Sequence, residues 1–324
     1  MRAVQVDHWM EPHELRVADV ADPTLLPGSL LIEVRAAGCN FSDLLIVQGK
    51  YQVKPAFPFT PGAELAGVVR AVAEDVDGFA AGDRVLASAG TGGFAELACV
   101  PASAACRLPD AMSFDVGASL PIIYSTSYAA LVDRANVQPG EDLLIHAAAG
   151  GVGIAAVQIG VGLGARVIAT AGGPEKLALA RAHGASEGID YRKEDFVARV
   201  LDITDGKGAD VIYDSVGGDT FDRSLKCIAW NGRLLVIGFA SGRIPEVKAN
   251  RILLKNIAVT GLHWSAYAEK QPGRVIEILE ELFALYAAGK IEPVIYGRYE
   301  LDDLPVALGE LGGRKTHGKL VVTP

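Results

Sequence analysis

The sequence predicts an α/β protein in two parts: a compact β-rich, barrel-like domain and a doubly wound parallel-sheet domain. Three observations predict it. Over the first 110 or so residues, short apolar segments are cut by Gly, Pro and Asp clusters, the punctuation of a small β domain. From about residue 113, strands alternate with helices of roughly 10–15 residues, a pattern that requires a parallel sheet with crossover connections. The chain has 324 residues, 50% of them hydrophobic, enough for two separate cores.

The strands of the first part are "MRAVQV", "LLIEVRAA", "AELAGVVRAV", "DRVLAS" and "AELACV", bounded by turns such as "LPGS", "TPGAE" and "AAGDR". "NFSDLLIVQG" interrupts them with a helical turn. "SFDVGASLPIIYSTSYAALVDRA" reads as a pair of helices. The segment "PGEDLLIHAAAGGVGIAAVQIGVGLGARVIATAG" then gives strand, glycine turn, helix and strand. The alternation continues through "KLALARAHG", "EGIDY", "DFVARVLDITDG", "ADVIYDSVG", "DTFDRSLKCIA", "GRLLVIG" and "NIAVTGLH". Its strands are near-continuous apolar runs, as a sheet covered on both faces requires. "PGRVIEILEELFALYAAGKI" is an amphipathic helix, and the tail "EPVIYGRYELDDLPVALGELGGRKTHGKLVVTP" returns to strand-like pieces.

Composition excludes several classes of function. A net charge of −9 opposes a nucleic-acid face, which needs clustered basic residues. No apolar run approaches the roughly 20 residues that span a bilayer, and the charged N-terminus lacks the apolar stretch of a signal peptide. The expectation is a cytoplasmic protein with no membrane partner. The four cysteines (Cys39, Cys99, Cys106, Cys227) form neither a C-x-x-C pair nor a disulfide framework. The six histidines contain no H-x-x-x-H pair, so no structural metal site is expected.

The strongest local signal is "LLIHAAAGGVGIAAVQIG". It joins a strand to a helix inside a β-α-β unit, the context a dinucleotide loop needs. Against G-x-G-x-x-G its positions are Ala148, Gly150 and Gly153, so the first glycine is missing. Ala149, Gly150, Gly151 and Val152 are the candidate pyrophosphate contacts, with the helix N-terminus supplying N–H groups to the anion. The competing reading is a tight turn in a Rossmann-like sheet that binds nothing. At the end of the second strand, Thr170, Ala171, Gly172 and Gly173 are uncharged. An NAD site usually carries an acidic residue there, bonded to the ribose hydroxyls. Lys176 follows, and the third strand ends in Tyr191 and Arg192. Gly172, Lys176 and Tyr191 therefore form a candidate 2′-phosphate site, and the expected cofactor is NADPH. Lys176 alone also reads as an ordinary solvated lysine.

With these motifs in hand, the chain resembles the zinc-free quinone oxidoreductase (zeta-crystallin-like) branch of the medium-chain dehydrogenase/reductase superfamily. The resemblance rests on "NFSDLLIVQGKY", "PGAELAGVV", "GDRV", "GGFAEL", "AAAGGVGIAAVQI", "GRLLVIG" and "RKTHGKLVV", and runs nearly end to end. It implies a GroES-like catalytic domain over 1–122 and 263–324, a Rossmann domain over 123–262, and an active site in the cleft. It also implies a homodimer, or a tetramer built from dimers. In the zinc alcohol dehydrogenases of the superfamily, G-x-C-H-T-D supplies a zinc cysteine. Asn40 stands at that position here, with Cys39 one place early. The histidine ligand falls on Ala63 and the third ligand near Ile122, so no metal is expected. Cys39 reads as a small buried hydrophobe, and Asp43 as a local backbone acceptor.

Without a metal, charge developing on a carbonyl oxygen must be met by hydrogen-bond donors. Quinones and α,β-unsaturated carbonyls suit this, because hydride attack on them gives a delocalised anion. The resemblance places Asn40 and Tyr51 at the nicotinamide cleft as the candidate catalytic residues. It further assigns Thr126, Val216, Phe239, Leu262 and Arg314 to the cofactor site. Tyr51 also reads as a turn-capping aromatic beside "KPAFPF". The leading expectation is an NADPH-dependent quinone reductase acting by direct hydride transfer. The alternatives are reduction of enones or enoyl thioesters, and a non-enzymatic structural or RNA-binding role of the zeta-crystallin kind. The stretch "HWSAYAEKQPG", 263–273, departs from the family pattern and carries no assigned role.

Overall fold

Residues 1–324, all described by the computed structural model, divide into two units. The first comprises Met1–Ile122, Ala268–Phe283 and Pro293–Pro324, and the second Ile123–Tyr267 and Ala284–Glu292. The division drawn from the sequence assigned all of 263–324 to the first part; the structure groups 263–267 and 284–292 with the second. Gln158 is one anchor for the latter segment. Its side-chain amide donates to the Glu292 carbonyl at 2.8 Å, and its side-chain oxygen accepts the Glu292 N–H at 2.7 Å.

In the first unit, β1 (Arg2–Val4) and β2 (Val17–Asp19) form a small antiparallel pair. The main sheet uses β3 (Ser29–Cys39), β4 (Glu64–Val72), β5 (Arg84–Ser88), β6 (Leu97–Pro101) and β7 (Ala105–Arg107). Along β3, Leu30, Ile32 and Val34 face the core while Arg35 faces solvent, the period-two alternation of a half-buried strand. The alternation then stops, and Ala36, Ala37, Gly38 and Cys39 are all buried. Gly38 has to be glycine. A Cβ there would lie 2.5 Å from the Ala118 carbonyl oxygen, 2.5 Å from Lys319 Cε and 2.6 Å from Glu64 Oε1. Helix Phe41–Val47 follows directly, its first turn held by the Asp43 carboxylate, which accepts the Asn40 N–H at 2.7 Å.

The second unit is one parallel sheet of β8 (Asp142–Ile145), β9 (Arg166–Ala171), β10 (Glu187–Asp190), β11 (Ala209–Asp214), β12 (Ile228–Val236) and β13 (Ala258–Gly261). Its order is β10-β9-β8-β11-β12-β13, and every neighbouring pair is parallel. The order reverses between β8 and β11, the topological switch point where such sheets bind ligands at their carboxyl ends. Leu144, Ile168, Ile212 and Leu234 meet Phe196, Val200, Phe221 and Leu225 of the covering helices in one core. In helix Gly151–Gly162, residues 153–160 are all buried, as expected of a helix that is apolar all round.

The chain returns to the first unit with β14 (Ile295–Glu300) and β15 (Lys319–Thr323). These extend the main sheet, whose order is β14-β15-β3-β4-β5-β7, with β6 also pairing to β3. One local reading is borne out and one needs correction. The stretch read as a helix pair is a short helix Phe114–Gly117 followed by a continuous helical stretch, π-type over Leu120–Tyr124, α-helical over Ser125–Tyr128 and π-type again over Ala129–Arg134. The tail contains a helix, Leu304–Gly312, which buries Leu304, Ala307 and Leu308 in the first core. Its glycines and proline gave it a weak helical signature. No helix is long and apolar enough to cross a membrane.

Candidate active site

The glycine loop is built by backbone geometry. The chain leaves β8 through His146 and turns at Ala147, whose φ of +50° is left-handed. The turn conformation that G-x-G-x-x-G gives to a glycine thus falls on an alanine here, and Ala148 is simply buried. The Gly150 N–H closes the turn onto the Ala147 carbonyl at 2.9 Å, and Gly150 caps helix Gly151–Gly162. A Cβ on Gly153 would sit 2.2 Å from the Ala147 oxygen, so only glycine lets the helix approach the turn. The leading N–H groups of this 12-residue helix have no acceptor within the helix, and they carry the positive end of its dipole. That is an anion site.

Two buried hydroxyl networks hold the loop. Ser224 Oγ donates to the Thr220 carbonyl at 2.7 Å, so it must accept from His146 Nε2 at 2.8 Å. His146 is therefore the Nε2–H tautomer, and Nδ1 accepts from Thr170 Oγ1 at 3.1 Å. Burial, aided by the Arg223 charge, pushes the imidazole down to about 3. Ser127 Oγ donates to the Val152 carbonyl at 2.9 Å, so the Tyr213 hydroxyl, also at 2.9 Å, donates to it. Thr126, one residue earlier and largely buried, shares this helical turn.

The end of β9 opens into a clasp. A Cβ on Gly172 would lie 2.7 Å from the Tyr191 hydroxyl and 2.8 Å from Arg192 Nε, so both side chains close over the glycine. Asp190 Oδ1 draws the two strand ends together, accepting the Gly173 N–H at 3.2 Å and the Arg192 N–H at 3.1 Å. Burial and the neighbouring Arg192 charge both lower the Lys176 ammonium. An anion bound here would relieve the charge that burial and Arg192 disfavour on Lys176. Sequence reasoning nominated Gly172, Lys176 and Tyr191, with Arg192 noted beside them, but left out the organising Asp190. The signal for Asp190 was an acidic residue ending a buried strand.

The remaining positions of this unit follow the same carboxyl edge. Asp214 Oδ1 accepts the N–H groups of Val216 and Gly217 at 2.8 and 3.0 Å, shaping the turn after β11. The Ser241 N–H donates to the Val216 carbonyl, and a Cβ on Gly217 would meet the Phe239 ring at 3.0 Å, so Val216 and Phe239 come together. Leu262 follows β13 and is tied to Val236. Thus Ala149, Gly150, Gly151, Val152, Gly172, Tyr191, Val216, Phe239 and Leu262 all lie just beyond strand ends of one sheet. Trp264 is buried and stacks on Tyr267 at 5.8 Å, a packing role within this unit.

In the first unit, strand register assembles a second cluster. Leu320 pairs with Cys39, and Leu65 with Ala37. Lys319, Asn40 and Glu64, each next to one of those residues, are thereby brought together. Lys319 Nζ donates to Glu64 Oε1 and, at 2.7 Å, to Asn40 Oδ1. Asn40 Nδ2 donates to Glu64 Oε1 at 2.8 Å, and the Ile122 N–H to Glu64 Oε2 at 2.8 Å. Lys319 and Glu64 are 1% and 0% exposed. Burial pushes the Glu64 carboxyl up, against the opposing pull of Lys319 and its other donors. Burial also raises Asp43, to about 7, and drives the Cys39 thiol well above the reactive range. Asp43 bonds backbone, as expected, and Cys39 is a buried hydrophobe.

Tyr51 lies four residues beyond helix Phe41–Val47, which begins just after Asn40, so the two candidate catalytic residues flank one short helix. Seven residues rise about 10 Å. Tyr51 is half-buried against the first core. Trp9 pins the loop that holds it: a Cβ on Gly49 would strike the Trp9 ring at 2.6 Å, and the Phe57 ring stands 4.5 Å from Trp9. Arg314 is exposed just past helix Leu304–Gly312, with a left-handed φ of +56°.

A doubly wound sheet with this loop and clasp is a dinucleotide-binding unit. Residues 26–110 match the alcohol dehydrogenase GroES-like domain family, and residues 151–281 the zinc-binding dehydrogenase family. A quinone oxidoreductase-like protein 2 homolog from Nematostella vectensis is 41% identical over 294 residues, covering 90% of this chain and 80% of its own length. A quinone oxidoreductase from Pseudomonas aeruginosa is 37% identical over 325 residues, covering 100% and 99%. The structure of Escherichia coli quinone oxidoreductase complexed with NADPH has a TM-score of 0.94 at 33% identity, over 100% of both chains. The chain belongs to the quinone oxidoreductase family of the medium-chain dehydrogenase/reductase superfamily.

Zinc, which the second family's description implies, does not fit the residues present. Ala63 and Ile122 offer no side-chain donor atoms. The amide of Asn40 is committed to Lys319 and Glu64, and an ammonium lies beside it.

Proposed function

We propose that this protein is an NADPH-dependent reductase that delivers hydride directly to a quinone, with no catalytic metal. The observation that carries the reading is the clasp of Tyr191 and Arg192 over the bare Gly172, with Lys176 near enough to feel the Arg192 charge. It offers a hydroxyl and a guanidinium, with the Lys176 ammonium within reach of the same charge, to a 2′-phosphate where an NAD site would offer a carboxylate. The NADPH bound to the Escherichia coli relative agrees with this choice. When bound, the cofactor supplies the hydride.

The chain's own residues do the rest. The Gly150–Val152 turn and its helix N-terminus hold the pyrophosphate. Val216, Phe239 and Leu262 line the nicotinamide end, Thr126 lies near it, and Arg314 reaches the adenosine phosphate. The Tyr51 hydroxyl donates to the quinone oxygen as charge develops on it, and passes a proton to the product. Two-electron reduction to the hydroquinone suits a site whose remaining help is hydrogen bonding, because the anion formed is delocalised.

The test is a steady-state assay of the purified protein with a simple benzoquinone or naphthoquinone and each nicotinamide cofactor. Quinone-dependent NADPH oxidation with a clear preference over NADH supports the reading. Preference for NADH, or turnover of an enone in place of quinones, counts against it.

We further infer a homodimer formed along β13. That strand is the open edge of its sheet, and Trp230, Leu253 and Leu254 are exposed on β12 and on helix Ala249–Lys255 packed against it. Light scattering at micromolar concentration checks this. A monomer would refute it.

A further inference from the structure

Tyr51 stands on a loop whose two ends are tied to the same short segment of chain. At its start the Met10 N–H donates to the Val47 carbonyl at 3.0 Å. At its end Val6 and Phe59 exchange backbone hydrogen bonds at 2.8 and 3.0 Å. Trp9 lies between these two anchors and bridges the neck of the loop. Its ring packs on Gly49, two residues before Tyr51, so closely that a Cβ there would lie 2.6 Å from it. The same ring meets Phe57 edge-on at 4.5 Å, and Phe57 stacks on Phe59 at 5.9 Å with 28° between the planes. Phe59 is buried in the first core, but Trp9 and Phe57 are 37% and 42% exposed. Two large rings, backed by a third, thus form an open apolar shelf at the foot of the Tyr51 loop.

From this placement we infer that Trp9 and Phe57 are specificity-determining residues that hold an apolar substituent of the substrate, so that the preferred quinones carry an alkyl or isoprenoid chain. The inference rests on the reading under Proposed function, which sets the quinone ring at the Tyr51 hydroxyl. With the ring there, the part of the substrate that extends along the loop to its neck is a substituent. The distance is short: two residues separate Gly49 from Tyr51, at most about 7 Å of chain. The shelf is continuous with the loop that carries the reacting group, and Phe57 offers no hydrogen-bonding atom, so hydrocarbon is what it can hold. A second copy of the chain has its own place, since the self-association proposed along β13 uses Trp230, Leu253 and Leu254.

The shelf is also preorganised. Gly49 holds a left-handed φ of +66° against the Trp9 ring, and the stack on buried Phe59 fixes Phe57 from below. Little ordering is then left for binding to impose. A fully buried methylene is worth about fourfold in an equilibrium constant. Against one open face roughly twofold per methylene is appropriate, until the chain runs past the rings.

The experiment uses the full-length protein and one headgroup, a dimethoxy-methyl-benzoquinone, bare and with ethyl, pentyl or decyl chains, each below its solubility limit. The readout is kcat/KM for each derivative divided by that for the bare headgroup. This ratio cancels any effect of a substitution on Tyr51 or on NADPH, which a merely structural role would produce. In the parent it is expected to rise with chain length, to at least tenfold for the decyl derivative. Phe57→Gln and Trp9→Gln are each expected to cut the decyl ratio at least threefold, whereas Phe57→Leu, which keeps an apolar side chain, holds it within twofold. Thermal midpoints show which variants are folded. Should Trp9→Gln unfold because its ring supports Gly49, the two Phe57 variants decide the matter. A flat series in a parent that does reduce the bare headgroup overturns the inference and leaves the reductase reading standing. A rise that persists in the folded glutamine variants overturns it too, because the chain is then held elsewhere. No NADPH oxidation with any of the quinones overturns the reductase reading, and the shelf assignment falls with it.

Discussion

Removing the cations of the Gly172 clasp should change which cofactor the protein selects. Consider Lys176→Ala, Arg192→Ala and the double variant. Lys176 is half-buried, so its bond to a 2′-phosphate takes the lower part of the range for charge-assisted hydrogen bonds, about 1.5 kcal/mol. Arg192 is exposed and more strongly screened, and about 1 kcal/mol is appropriate. At about 1.4 kcal/mol per factor of ten, NADPH should bind roughly tenfold more weakly without Lys176 and about fivefold more weakly without Arg192. The two side chains interact, so the double variant is read as a cycle rather than a sum, with a total loss of roughly 30–100-fold. NADH has no phosphate to lose. Its dissociation constant, measured in the same fluorescence titration, should stay within about twofold. Equal weakening of both cofactors in the double variant would refute the argument, since it would mean that the cations support the fold of the clasp and not the phosphate.

Other consequences follow from buried groups. Asp43 is raised from 3.8 to about 7, so the folded protein binds its proton more tightly than the unfolded chain, and stability falls as pH rises from about 4 to 7. Asp43→Asn should remove that loss, worth a few kcal/mol across the window, in urea denaturation at stepped pH. His146 acts with the opposite sign: lowered from 6.5 to about 3, it is neutral in the fold while the unfolded imidazole takes a proton, so stability falls as pH drops from about 6.5 towards 3. His146→Gln should flatten that acid limb, although it gives up the bonds to Thr170 and Ser224. Gly38→Ala should cost more than about 3 kcal/mol, because its Cβ meets the fixed Ala118 carbonyl oxygen at 2.5 Å. A thermal midpoint within a few degrees of the parent would show that the strand can move aside.

The second unit was legible in the sequence because its physics is local. Its strands are apolar runs, its helices have their own period, and the glycine loop joins one to the other within a few residues. The missing first glycine did no harm, since Ala147 takes the left-handed turn. The first unit's site was harder to read. Asn40 stood out only through the family resemblance, and the partners that define it lie elsewhere: Glu64 is 24 residues away and Lys319 is 279. Each is a single charge at the head of an apolar strand, and nothing local says that the two strands flank β3. Pairing register placed them, and register is a long-range property. Asp190 was missed for a milder reason. The sequence shows that a strand ends at Tyr191 but not that the Asp190 carboxylate ties this end to Gly173. The helix Leu304–Gly312 escaped because two glycines and a proline dilute a short pattern that only packing completes.

The central claim is that this site moves hydride from NADPH to a quinone with hydrogen-bond donors in place of a metal. The most direct measurement is anaerobic stopped-flow of the protein, dialysed against a strong chelator, with NADPH and a simple quinone, following loss of the absorbance of the reduced nicotinamide. The account predicts one NADPH consumed per quinone reduced, a rate unchanged by the chelator or by added zinc, and a slower reaction with NADH at equal concentration. An activity that disappears with the chelator and returns with zinc, or no NADPH oxidation at all, would contradict it.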